Sequence, residues 1–176
     1  VTGGLVLFAR AAFVVLFVAA VAGKVSGRRR WRAFGSSLEP LAGSLAEPVA
    51  VAVLAAETAC VLLLCAPVAP VGGLAAAGLL LAVFAAGIGY AVRSGRRVRC
   101  RCFGVDGGEL DAAAAIRNAV FAAAALTAAW AGAALHPAVP SAAGVAFTLP
   151  LALATGYAVT RWDDLVYAVV RPRETA

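Results

Sequence analysis

Five apolar runs, each close to the length of one bilayer crossing, restrict what this sequence folds into. They span Gly3 to Gly23, Glu47 to Ala66, Gly72 to Val92, Asp111 to Leu135 and Ser141 to Thr160. About 20 residues of helix cover the ~30 Å of hydrocarbon in a typical membrane. Inside that hydrocarbon every backbone polar group has to be satisfied within its own segment, which selects helices. The expected fold is therefore all-α, a polytopic transmembrane helix bundle of four core helices plus a fifth. Residues 1–135 make the core, residues 136–160 the fifth crossing, and residues 161–176 an interfacial amphipathic tail carrying Trp162 and Tyr167. Pro150 predicts a kink in the fifth run, which is the one open to a partly re-entrant path. Composition points the same way: 63% of the residues are hydrophobic and 14% charged, against ~45–50% and ~25% in soluble domains.

The formal net charge is +6, and its distribution argues for topology rather than nucleic acid binding. Lys24, Arg28, Arg29, Arg30 and Arg32 follow the first run, and Arg93, Arg96, Arg97, Arg99 and Arg101 follow the third. The segments Pro67 to Val71 and His136 to Ser141 hold no Lys or Arg. Cytoplasmic loops collect positive charge, so the N-terminus is expected outside and both basic loops in the cytoplasm of a multi-pass plasma-membrane protein. Basic residues after the first run, rather than before it, are the reverse of a cleaved signal peptide, so that run reads as a retained helix with an interfacial Trp31. The second run places Pro48 in its first turn, where a missing N–H costs nothing.

The four cysteines fall into two groups. Cys100 and Cys102 form a Cys-x-Cys in the third loop, within Arg99-Cys100-Arg101-Cys102-Phe103-Gly104. Thiolate is the reactive form, and neighbouring guanidinium groups favour it. A bridge between cysteines one residue apart is small and strained, hence labile, which suits a redox couple better than a staple. Three other readings stay open: acylation of a juxtamembrane cysteine, soft-metal binding without a complete tetrahedral set, and inert thiols. No metal site is assigned. Cys60 and Cys65 lie in the second run, separated by about 7.5 Å of rise and ~140° of rotation, so a regular helix cannot join them. Packing is the better account of both, with Cys65 the one nearer the outer surface.

Arg10 and Glu57 interrupt apolar helices, where an uncompensated charge is costly. Counted from Lys24 and Glu47 at 1.5 Å per residue, they sit about 21 Å and about 15 Å from the cytoplasmic boundary. An arginine side chain spans that difference, so the two are expected to pair or to share a polar network with Asn118. The alternative is a snorkelling Arg10 and a protonated Glu57. Arg117 and Asn118 open the fourth helix above the Cys-x-Cys loop. Asp106, Glu109 and Asp111 before it are explained by capping and the helix dipole. His136 stands alone in a loop.

Lys24 after a first helix, Glu57 within the second, Arg99-Cys100-Arg101-Cys102-Phe103-Gly104 after the third and Arg117-Asn118 opening the fourth resemble the MauE family. These are methylamine utilisation membrane proteins, related to the DoxX-like four-helix group. The resemblance covers residues 5 to 135. It implies handling of reducing equivalents in support of methylamine dehydrogenase maturation, with Cys100 and Cys102 as the redox pair and Phe103 and Gly104 shaping their loop.

The sequence thus supports a thiol–disulfide redox membrane protein in which Arg99 and Arg101 favour thiolate. Its expected partners are membrane lipid and either a thioredoxin-like protein or an exported disulfide-containing client, with a quinone as the compatible cofactor. The rival reading is a non-enzymatic membrane assembly or chaperone subunit that docks through the basic Cys-x-Cys loop. No inverted internal repeat supports small-molecule transport.

Overall fold

A computed structural model of the chain describes residues 2–66, 70–95, 112–135 and 141–160. The described residues form six α-helices: α1 (Thr2–Val25), α2 (Arg28–Ala42), α3 (Ala46–Cys65), α4 (Pro70–Arg93), α5 (Ala112–Leu135) and α6 (Ala142–Thr160), with one 3-10 turn at Gly43–Leu45. Five helical stretches are long and apolar enough to cross a membrane, and α2 leads into the one that contains α3. The chain is a multi-pass membrane protein on that basis. The fifth run is a continuous helix through Pro150, and the expected tail after Thr160 lies outside the described residues.

Burial is inverted relative to a soluble protein. Phe147, Trp130, Leu62 and Val83 expose 65–76% of their surface, while Lys24 and Glu57 expose 1% and 2%. In water this pattern would forfeit its largest side chains; in lipid the apolar exterior is solvated and the charges face inward.

The hub is α1, which touches every other helix, and α4 and α5 form the most extensive pairing. Close approach depends on small residues. On α5, Ala122, Ala125 and Ala129 repeat on one buried face, with Leu74, Ala77 and Leu81 of α4 in the same core. A Cβ on Gly73 of α4 would lie 2.8 Å from the backbone of Leu63 and Leu64 in α3, and one on Gly156 of α6 would lie 2.8 Å from the Cβ of Val15 in α1. With no hydrophobic force between helices in lipid, such contacts supply the packing.

The amphipathic helix α2 was not expected as a separate element, because its residues read as a basic stop. Its apolar side chains nevertheless recur at helical spacing: Trp31, Phe34, Leu38 and Leu41. Phe34 is buried and the other three half-buried, whereas Arg28, Arg29, Arg30 and Arg32 are exposed. The helix packs on α1 and α3, and Gly43 ends it in a positive-φ conformation (55°) that favours glycine.

Candidate functional site

The interior polar groups gather toward one end of the bundle, where α1 finishes, α4 finishes and α5 begins. Lys24 lies next to the last residue of α1. Its ammonium runs back along the helix, donating to both carboxylate oxygens of Glu57 on α3, at 2.7 Å to Oε1 and 2.9 Å to Oε2. A longer contact of 3.4 Å reaches the carbonyl of Ala20 one turn earlier. Phe34 of α2 covers the ammonium with its ring, 4.9 Å from Nζ to the ring centre, a cation–π geometry that closes the ion pair on that side. Trp31 packs on Phe34 at a centroid distance of 6.1 Å.

Glu57 also faces a small cavity between α1, α3, α4 and α5, lined by Leu16, Phe17, Leu81, Ile88 and Asn118 among others. Its volume of about 20 Å³ matches one water; an aromatic ring needs a cavity nearer ~150 Å³. Asn118 is buried on α5 and donates one amide N–H to the carbonyl of Ala114, 2.9 Å away in its own helix. An amide has further donor and acceptor capacity beyond that bond. Cys60 stands one turn beyond Glu57 on α3 and is buried, while Cys65 is exposed. Among the described residues no group of three or more His, Cys, Asp or Glu side chains is placed to hold a metal.

The expected pairing of Arg10 with Glu57 is corrected by these contacts. Arg10 instead caps the far end of α3, donating from Nε and Nη2 to the carbonyl of Leu64 at 3.1 and 2.6 Å and from Nη2 to that of Ala66 at 2.9 Å. Leu64 is seven residues beyond Glu57, or about 10 Å along the axis. The physical reason is an offset between helices. Glu57 sits about 16 Å into α3, whereas the Ala20 level it faces is only about 7.5 Å from the end of α1. The start of α3 therefore extends about 9 Å past the end of α1, and α2 packs beside that extension. Equal membrane levels for Lys24 and Glu47 had placed Glu57 too close to Arg10.

Lys24 is the partner that sequence reasoning did not assign to Glu57. It read as the first member of a basic loop, but it belongs to the last turn of α1 and is almost wholly buried. The signal that marked it was its partner: a carboxylate deep in an apolar helix requires a cation within reach. Asn118 bonds within its own helix rather than across the bundle, and its neighbour Arg117 is half-buried. Cys100, Cys102, Arg99, Arg101, Phe103 and Gly104 lie outside the described residues, in the connection between α4 and α5.

The family model described as methylamine utilisation protein MauE matches residues 2–131. No curated protein and no solved structure matches the chain. The match spans well over half of the sequence and takes in α1 to α4 and nearly all of α5. The chain belongs to the MauE family.

Proposed function

We propose that this MauE-family membrane protein handles thiol–disulfide redox equivalents through Cys100 and Cys102, at the cytoplasmic face of the plasma membrane. The observation that carries the reading is the gathering of Lys24, Glu57 and Asn118 at the end of the bundle from which the cysteine-bearing connection springs. Ile88, five residues before the end of α4, and Asn118, six residues after Ala112 opens α5, line the same cavity as Glu57. Buried polar groups are costly in a membrane bundle, and Asn118 lies about 9 Å along α5 from Ala112, the helix start that follows the cysteine-bearing connection.

In the proposed cycle the Cys100 and Cys102 thiols give up two electrons and two protons as their disulfide forms. A membrane quinone takes both electrons and two protons to become the quinol. Alternatively a thioredoxin-like protein exchanges its disulfide for a dithiol. Arg99 and Arg101 hold the thiols toward thiolate, the attacking form. The client in this reading is a methylamine dehydrogenase in maturation, as the resemblance to methylamine utilisation proteins implies. The orientation follows from the basic residues of α2 and of the α4–α5 connection.

Thiol labelling in intact cells and in permeabilised membranes, each with and without prior reduction, tests this. The expected result is labelling of Cys100 and Cys102 only after permeabilisation and only after reduction. A Cys100→Ser, Cys102→Ser double variant that fully restores function in a deletion strain would overturn it. The docking alternative rests on one observation: Arg28, Arg29 and Arg32 of α2 form an exposed basic edge. That reading requires function to survive thiol removal and to fail when the arginines of α2 and of the loop are neutralised.

A further inference from the structure

We propose that Glu57 is a proton-exchanging carboxyl within the membrane, joined by a single water molecule to Asn118. The inference begins with cost. Two side chains of opposite charge have been taken out of both water and lipid, and apolar residues of similar volume usually hold such a position as well or better. Adhesion between α1 and α3 therefore does not by itself account for the pair. Ionisable groups inside membrane spans characteristically mark proton or ion paths.

The geometry fits proton exchange rather than a static clamp. Lys24 and Glu57 are already hydrogen-bonded at 2.7 and 2.9 Å, so a proton passes between them along an existing bond, without movement of either helix. The carboxylate has about four acceptor positions, of which Lys24 takes two. Glu57 and Asn118 both line the same cavity. That cavity is large enough for one water, which needs at least two polar partners, and a carboxylate and an amide can supply them. Phe34 covers the Lys24 ammonium, and the Asn118 side of Glu57 leads toward the start of α5.

Arg117, half-buried and next to Asn118 in the sequence, is a further cation on α5. Among the described residues α1 presents Lys24, α2 the ring of Phe34, and α4 the apolar side chains of Leu81, Phe84 and Ile88; α5 presents the uncharged amide of Asn118. On α3 itself the nearest titratable neighbour is Cys60, one turn away. Resting on the redox reading above, the site has a defined use: two protons accompany the two electrons that leave the loop dithiol. Glu57 relays these one at a time, exchanging through the water at Asn118.

Infrared spectroscopy of the full chain in lipid nanodiscs, titrated from mildly acidic to mildly alkaline pH, tests the carboxyl directly. The expected result is a protonated-carboxyl band that titrates, moves on isotope labelling of glutamate in the wild-type protein, and is absent from Glu57→Gln. In Asn118→Leu, which keeps volume but removes the amide, the band should shift as its water is lost. A glutamate signal that stays wholly ionised throughout the titration of folded wild-type protein overturns the proposal, and an unshifted band in Asn118→Leu overturns the water link. Glu57→Gln should also slow oxidation of the loop thiols by added quinone by about a hundredfold or more, so that they label without prior reduction. Thiol alkylation in the same samples separates the two readings. Thiols that never change state beside a titrating Glu57 sink the redox reading and leave the proton site standing.

Discussion

Lys24 and Glu57, thirty-three positions apart, hold α1 to α3 through a two-point ion pair that is almost wholly buried. Removing one partner strands the other charge, whereas removing both leaves an apolar contact. Lys24→Met or Glu57→Leu alone should destabilise the bundle by about 3–5 kcal/mol, and the double substitution by far less, or not at all. Thermal unfolding in detergent, followed by helicity, checks this. Equal losses in all three variants would show that the pair is not coupled.

Arg10 holds the opposite end of the same helix pair. Its guanidinium bridges the carbonyls of Leu64 and Ala66, the last acceptors of α3, at the negative end of that helix dipole. Arg10→Leu should cost about 1–3 kcal/mol, because two carbonyls lose a charged donor. Arg10→Lys should recover only part of that, since one ammonium keeps the charge but lacks the planar fork. Unfolding midpoints rank the three proteins, and a lysine variant as stable as wild type would remove the fork from the argument.

The glycines give a prediction in which sign depends on the neighbour. Ala in place of helical Gly gains about 1 kcal/mol of intrinsic propensity, and overpacking costs about 1–3 kcal/mol. Gly73→Ala meets the backbone of Leu63 and Leu64, and Gly156→Ala meets Val15 Cβ and the carbonyl of Ala12 at 3.1 Å; both should destabilise. Gly78→Ala meets Leu126 Cγ at 2.6 Å and the carbonyl of Ala122 at 3.2 Å and should destabilise as well. Gly35 on α2 has nothing within 4 Å of its Cβ position, so Gly35→Ala should stabilise. A uniform response across the four positions would disprove the close-approach reading.

How far the sequence revealed this architecture depended on which physical signal each element carries. The crossings were legible because length and apolarity alone define them: the run from Glu47 to Ala66 became α3 at Ala46–Cys65, and Asp111 to Leu135 became α5 at Ala112–Leu135. Helix α2 was hidden because four arginines drew attention away from the Trp31, Phe34, Leu38 and Leu41 spacing beneath them. Its absence from the reading then misplaced α3 by two turns and gave Glu57 the wrong partner. Charge in a membrane span announces that a partner exists, but which one depends on the vertical offset of two helices, and no residue count across a loop fixes that offset. Glu57 and Asn118 were singled out correctly as interior polar groups, while Lys24 was concealed by its position at a helix end.

Cys60 and Cys65 should separate sharply in reactivity although they share one helix. Cys60 is 4% exposed in the core between α1, α4 and α5, and Cys65 is exposed in the last turn of α3. A membrane-permeant maleimide added to protein in nanodiscs should modify Cys65 promptly and Cys60 only through transient opening of the bundle, about a hundredfold more slowly. Glu57→Gln, which weakens the α1–α3 clasp one turn away, should accelerate Cys60 while leaving Cys65 unchanged. Peptide-level mass spectrometry over a time course distinguishes the two sites. Equal rates at both would mean that the core around Cys60 opens as freely as the helix end, and the ion pair would then have no part in keeping it closed.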